Sequence, residues 1–378
     1  MDDLRTRLGN RIRSARAAVG LTQQQLSEEA RLPAPQVVSQ IEKGEREVKA
    51  WELVNIARVL RVDIGDLLRV EEPAARQAVA WREEPGEKRA VLEAEFLQAC
   101  ERYALLERLC GMCGELDLPS LHGNVEYLRY EDAATLADHT REKLDLGSRP
   151  AHALQGVLED RYSVKVWHRR LGADGSAACS RGTLGAAVLL NSDEVPWRQN
   201  FSLAHELFHL LTWTDAKEGV SSDTSATQDR TEQCANAFAS ALLLPAESLR
   251  ATWTRRTQGG SMHEADIVEI AREYDVSTDA LLWRLQNLGI LSPDAAERLR
   301  KNEAFRRIDR SSRPATWPRP AEPPERYVRL AYTAYQKGAL SRARLAELLN
   351  VSIADLNNTL QEYGLDERQD LAAELRTA

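Results

Sequence analysis

With 378 residues, 43% of them hydrophobic and 29% charged, the chain has room for two or three domains and fills cores rather than behaving as a disordered polymer. Fifty Lys and Arg against 58 Asp and Glu give a net charge of −8, which excludes a uniformly basic nucleic-acid coat. The five cysteines (Cys100, Cys110, Cys113, Cys179, Cys234) are too few and too irregular for a secreted disulfide framework.

The N-terminus, MDDLRTRLGNRIRSAR, lacks the apolar stretch of a signal peptide. The longest apolar runs, such as Ala186–Leu190 and Ala241–Leu244, are too short to span a bilayer. The expectation is a soluble, cytoplasmic protein with no membrane contact. Its fold class is mainly α with a small β-sheet (α+β). Five parts are expected in order: a five-helix domain over 1–70, a connector helix over 71–119, a larger α+β domain over 120–312, a Pro-rich linker over 313–324, and a C-terminal helical unit over 325–378.

Charge is unevenly spread. The first 70 residues hold twelve Lys and Arg against ten Asp and Glu, a net of +2, leaving −10 for the rest. Arg5, Arg7, Arg11, Arg13 and Arg16 recur along the first helical stretch. Helical periodicity follows in Leu8, Ile12 and Ala15, in Leu21, Leu26 and Ala30, in Val37, Val38 and Ile41, and in Leu53, Ile56, Ala57 and Leu60. Gly20, Leu32-Pro33 and Gly44 punctuate these segments. Thr22 is placed to N-cap a helix opening at Gln23, and Pro33 and Pro35 bracket the start of the next.

Residues 21–44, LTQQQLSEEARLPAPQVVSQIEKG, resemble the helix-turn-helix of the lambda-repressor-like regulators called the Xre family, and the resemblance runs through WELVNIARVLRVDIGDLL. It implies a first helix, Gln23–Ala30, across the DNA backbone and a recognition helix near Pro35–Lys43 in the major groove. Gln36 and Gln40, with Ser39 as a weaker candidate, would read base edges; Gln23, Lys43, Arg46 and Lys49 would contact phosphates. The turn departs from the family pattern, being one residue longer and holding two prolines. A helix-turn-helix used only for dimerisation or protein binding is the competing reading.

Next, Leu92, Phe96, Ala99, Tyr103, Leu106, Cys110 and Cys113 are spaced 4-3-4-3-4-3, a heptad seam over 92–113 able to pair helices within the chain or in a homodimer. Cys110 and Cys113 form a CxxC, for which Cys100 and His122 are conceivable further ligands. No second CxxC occurs and both sulfurs fall on the apolar stripe, so packing is preferred to a zinc knuckle.

Residues 163–191 turn strand-like: SVKVWH, SAACS and AAVLLN, separated by Gly172, Gly175, Gly182 and Gly185, predict a small antiparallel sheet. A helix then opens near Trp197 and carries His205-Glu206-Leu207-Phe208-His209. Histidines at i and i+4 share a helix face, so two imidazoles converge on one ion, while Glu206 projects at a neighbouring angle where it serves as a base without being a ligand. The apolar flanks Phe201, Leu203, Ala204, Leu210 and Leu211 bury this helix, and burial makes the polar triplet costly without a compensating partner. Hydrogen-bonded core histidines are the competing reading.

A third ligand is needed. Glu232 stands 23 residues beyond His209, near the start of the next helix, whose small Ala235 and Ala239 permit close packing. Asp215, Glu218, Asp223, Asp229 and His263 are rivals. LAHELFH followed by ExxANxFAxxLLxP resembles the metallopeptidase family named after the ImmA anti-repressor protease and the IrrE radiation-response protein, over roughly residues 120–290. That resemblance implies a zincin-like fold, His205, His209 and Glu232 as metal ligands, Glu206 as the general base, and Asn236 holding the ligand shell or a loop. Zinc is the expected ion; a two-His, one-Glu set also accepts manganese or iron.

Glu247, Glu264, Asp266 and Glu269 have the spacing of solvated helix faces, and Leu281, Leu282, Trp283, Leu285 and Leu288 read as a further core helix. After five prolines in 313–324, Ser341 is placed to cap one helix of a helix-turn-helix-like pair, or of a small docking bundle. No GxxxxGK or GxGxxG occurs. The sequence therefore points to operator DNA as one partner and a protein substrate, a repressor by resemblance, as another. The alternatives are a transcription factor with a sensory, inactive metal site, and an antitoxin without protease activity.

Overall fold

The computed structural model describes residues 2–68, 77–82, 86–112, 118, 128–172, 175–213, 225–258, 262–314 and 316–366. They divide into two compact units: residues 1–77 with 84–103, and residues 78–83 with 104–378. No described helix is long and apolar enough to cross a membrane.

The first unit opens with five helices, α1 (Asp2–Ala18), α2 (Gln23–Glu29), α3 (Pro35–Glu42), α4 (Ala50–Leu60) and α5 (Ile64–Leu68), around a core of Ile12, Leu26, Val38, Ile41, Ile56 and Leu60. Local chemistry sets the boundaries. Thr22 caps α2 in a reciprocal box with Gln25, and Pro35 opens α3 at its first turn. Gly9 in α1 has a packing reason: a Cβ there would lie 2.3 Å from the Ile41 carbonyl oxygen.

The arginines of α1 are fastened inward. Arg5 pairs with Glu47, Arg11 donates to the Leu67 carbonyl and Arg13 to the Glu42 carbonyl. Arg16 grips buried Glu42 through Nε at 2.6 Å and Nη2 at 3.0 Å, and Gln23 donates to the same carboxylate at 2.8 Å. A carboxylate at the end of α3 thus fixes three helices together, because burying it without these donors would cost several kcal/mol.

The helix α6 (Arg89–Cys110) follows β1 (Val79–Trp81). Phe96, Tyr103 and Leu106 of the heptad seam are buried within one chain, in keeping with the pairing of this helix inside the molecule. The Cys110 thiol donates to the Leu330 carbonyl and burial raises its pKa, as packing requires; Cys113 and His122 lie outside the described residues.

The second unit continues with α7 (Tyr130–Lys143), α8 (Pro150–Tyr162), β2 (Lys165–Arg169), β3 (Ala177–Ser180), β4 (Ala187–Asn191), α9 (Pro196–Leu211) and α10 (Ser225–Leu243). The sheet order is β1-β3-β4-β2. Two expectations are corrected here. The sheet is mixed: β3 and β4 are antiparallel, and β2 runs parallel to β4 from Lys165 opposite Ala187 to Arg169 opposite Asn191. The β3–β4 connection occupies one edge of β4, which leaves β2 only the other. The second correction is β1, which comes from the stretch expected to be connector helix and covers the outer edge of β3, with Ala80 opposite Cys179.

Six further helices, α11 (Ala246–Thr257), α12 (Glu264–Glu273), α13 (Thr278–Asn287), α14 (Pro293–Lys301), α15 (Glu303–Ser311) and α16 (Glu325–Gln336), lead to α17 (Arg342–Leu348) and α18 (Leu356–Glu362). Trp283 was expected in the core. It is 53% exposed and lies under the Arg300 guanidinium at 4.3 Å, while Leu281, Leu282 and Leu285 turn inward.

The proline-rich stretch, expected to be a linker, is also not a free tether. Trp317 meets Trp197 edge-on at 4.8 Å, and Pro318, Pro320 and Pro324 wall a cavity against α8 and α9. The C-terminal helices are docked rather than separate. Buried Arg326 of α16 and Lys165 of β2 both bond Glu107 of α6, at 2.8 and 2.9 Å, and the Tyr327 hydroxyl donates to the Leu348 carbonyl. Ser341 caps α17 as its spacing predicts.

Candidate metal centre

The helix α9 begins at Pro196, whose missing N–H costs nothing at a helix start. From Ser202 to Leu211 every residue is buried, because β3 and β4 cover one side and α10 the other. Ala235 and Ala239 of α10 are fully buried and let the two helices approach, with the Phe208 and Phe238 rings 5.6 Å apart. The pairs run in opposite directions along the two helices: His205 meets Asn236, and one turn later His209 meets Glu232.

Three donors converge there. His205 Nε2 and His209 Nε2 lie 3.2 Å apart, and the two carboxylate oxygens of Glu232 sit 3.0 and 3.2 Å from them. Among the described residues His205, His209 and Glu232 form the group able to hold an ion. The donor set fits a divalent cation. Asn236 Oδ1 is 3.1 Å from His205 Nδ1; a carbonyl oxygen only accepts, so Nδ1 carries the proton and the Nε2 lone pair faces the carboxylate. A lone pair and a carboxylate repel unless something electron-poor sits between them. Burial raises the Glu232 carboxyl, but its pairing with His205 and His209 outweighs burial and holds the group below the usual carboxylate range, so the site favours negative charge on Glu232 wherever a proton or a cation lies between these atoms.

Glu206 stands beside this cluster with 1% exposure, and among the described residues neither carboxylate oxygen has a nitrogen or oxygen hydrogen-bond partner. Burial pushes its carboxyl up to about 7, against the opposing pull of His205, the Cys179 thiol and Arg82. Such a group exchanges a proton near neutrality. Arg82 follows β1, donates to Ser202 at 2.9 Å and lies over the Phe201 ring at 5.5 Å. Nothing in the composition of residues 78–82 marks them as part of the second unit; their place is visible only once β1 joins the sheet.

The rival ligands fall elsewhere. His263 precedes α12, where its backbone N–H donates to Asp266, and Asp229 is exposed on the first turns of α10. Asp215, Glu218 and Asp223 lie outside the described residues.

On the first unit, Gln36, Gln40, Lys43 and Lys49 are exposed and Ser39 is half-buried, all on or just after α3. Gln23 and Arg46 are committed to internal acceptors: Gln23 to Glu42, and Arg46 bidentately to buried Glu52 at 2.9 and 3.1 Å.

Comparison with known proteins divides the chain in the same way. Residues 7–70 match the family described as helix-turn-helix domain, and residues 159–286 match the IrrE N-terminal-like domain. The radiation response metalloprotease IrrE of Deinococcus deserti is 36% identical over 102 residues, which are 26% of this chain and 35% of that relative. The match thus spans about a third of the curated protein. The Bacillus thuringiensis PlcR structure, in complex with the peptide PapR7 and DNA, covers 80% of this chain and 95% of its own, at 13% identity and a TM-score of 0.17; a likeness at that score supports no argument.

Proposed function

We propose, from a chain that joins a helix-turn-helix domain to an IrrE-like metallopeptidase domain, that this protein is a DNA-binding transcriptional regulator and a zinc-dependent endopeptidase whose substrate is a repressor or another transcription factor, in a stress- or phage-related response. The observation that carries the reading is the convergence of His205 Nε2, His209 Nε2 and the Glu232 carboxylate beside a buried Glu206. These three residues would hold a zinc ion, which would supply a Lewis acid for the scissile carbonyl and for water.

The chain's own groups do the rest. Asn236 fixes the His205 tautomer so that its Nε2 lone pair would be available to hold the ion. Glu206 Oε takes a proton from water and returns it to the leaving amine, a cycle favoured by a carboxyl that titrates near 7. At the other end, Gln36 and Gln40, with Ser39, are offered to base edges, and Lys43 and Lys49 to phosphates. Gln23 and Arg46 reach phosphate only by leaving their internal partners. Tethering the two activities raises the protease concentration beside repressors bound nearby.

The test is metal content of the wild type, His205→Ala and Glu206→Gln, with cleavage of candidate repressors measured in parallel. One metal per chain in wild type and Glu206→Gln, lost in His205→Ala, with cleavage by wild type alone, supports the reading. Bound metal with no cleavage of any regulator rejects the protease.

A further inference from the structure

A cavity of about 570 Å³ lies within the second unit, on the far side of α9 from the metal centre. At 3.6 residues per turn, Pro196 and Leu203 point roughly opposite His205, and both line this space. Its other walls are α8, the ends of β2 and β4, the proline strap at 318–324 and the start of α16. The volume is that of a small-molecule site.

Three observations mark it as more than a packing defect. Gly156 stands in the interior of α8, where glycine costs a helix about 1 kcal/mol. A Cβ there would meet nothing within 4 Å, so neither close packing nor a turn accounts for it, and its effect is to keep that wall open. His168, 5% exposed at the cavity, is held neutral by burial, with its pKa lowered to about 4. Glu159 Oε2 accepts from Gln155 at 3.2 Å, while its buried Oε1 has no partner.

The charge balance selects the ligand. Arg326 is spent on Glu107 at 2.8 Å. Arg329 faces Asp160 at 3.5 Å and Glu325 at 3.9 Å. Both arginines thus already face other carboxylates and His168 is uncharged; among the described residues no cation lies within ion-pair distance of Glu159, on which Arg326 and Arg329 act only from farther off. Leu190, Leu203 and the prolines supply an apolar surface around it.

We propose that this cavity binds a small organic cation, a protonated amine on a compact apolar body, with the ammonium on Glu159 and the body against Leu190, Leu203 and the proline strap. The site is separate from the metal centre and does not rest on the protease reading. A ligand there touches α9 two residues before His205. Burial pushes the Glu159 carboxyl up to about 7, so the cation binds more tightly as pH rises through that value; Asp160, Glu325, His168, Arg326 and Arg329, the other charged or titratable groups at the cavity, are matched or neutral there.

The experiment uses the full-length chain at pH 8 with benzylamine as probe, and benzoate of the same size as the charge-reversed control, titrated by calorimetry or ligand-observed NMR. Expected are one saturable benzylamine site per chain and benzoate binding at least tenfold weaker. Glu159→Gln should weaken benzylamine at least tenfold, and Gly156→Leu, which fills the space, should abolish binding while leaving metal content intact. His205→Ala should bind benzylamine as wild type does, which separates this site from the metal. Absence of saturable binding, benzoate binding as well as benzylamine, binding indifferent to both cavity variants, or binding lost with His205→Ala would each overturn the proposal.

Discussion

Arg16 is the residue whose removal best separates two readings of the basic N-terminal helix. As a phosphate contact, Arg16→Ala would weaken DNA binding and leave the fold untouched. The geometry assigns it to the fold, since its Nε and Nη2 hold the Glu42 carboxylate, which is 1% exposed and is otherwise met by Gln23 at 2.8 Å and, more distantly, by Arg13 Nε at 3.8 Å. Removing one partner of a buried pair strands the other charge and costs about 3–5 kcal/mol. A domain of this size has on the order of 4–10 kcal/mol in all, at roughly 0.05–0.15 kcal/mol per residue. Arg16→Ala should therefore cut the opening free energy of α3, read by hydrogen exchange of its amides in the full-length chain, by a large fraction. The double variant Arg16→Met with Glu42→Leu should recover most of it, because no charge is then left buried. A loss under about 1 kcal/mol in the single variant, accompanied by weaker DNA binding with a shallower salt slope, would refute the clamp.

Other consequences are open to measurement. Asn236→Ala should lower metal affinity about tenfold by chelator competition, with Asn236→Asp retaining it, since either side chain offers His205 Nδ1 an acceptor; an unchanged affinity in Asn236→Ala would remove the tautomer argument. Between pH 4.5 and 6.5 two buried groups at the cavity oppose each other, on a background set by Glu206, whose raised carboxyl also contributes stability that is lost as pH rises. His168, lowered to about 4, contributes stability above its unfolded value near 6.5 that is lost as pH falls. Glu159, raised to about 7, contributes stability at low pH that is lost as pH rises. Relative to wild type, urea melts of His168→Asn should then show stability falling more steeply with rising pH, and those of Glu159→Gln less steeply; parallel curves for both would contradict the burial assignments. Glu107→Ala, which strands buried Lys165 and Arg326, should cost about 3–5 kcal/mol and expose α16 to protease before the metal centre is lost; melts matching the wild type would show that the ionic tie carries no stability.

Local chemistry made much of this protein legible. Thr22 with Gln25, Pro35, Pro196 and Ser341 announced helix starts because a cap or a proline acts within one turn. The i, i+4 spacing put His205 and His209 on one face, and the small residues of α10 indicated which helix would approach them.

What the sequence could not carry is which distant surfaces meet. Strand pairing leaves no mark in a three-residue segment, so β1 and the parallel β2–β4 pair needed the folded sheet. The arginines of α1 have the composition of a nucleic-acid contact until Glu42 and Glu47 take them up, and Pro318 to Pro324 look like a tether until they lie on α8 and α9. Helix spacing and end chemistry are fixed by neighbours within a turn. The docked strap and the cavity behind α9 depend on residues more than a hundred positions apart, and those only the tertiary structure brings together.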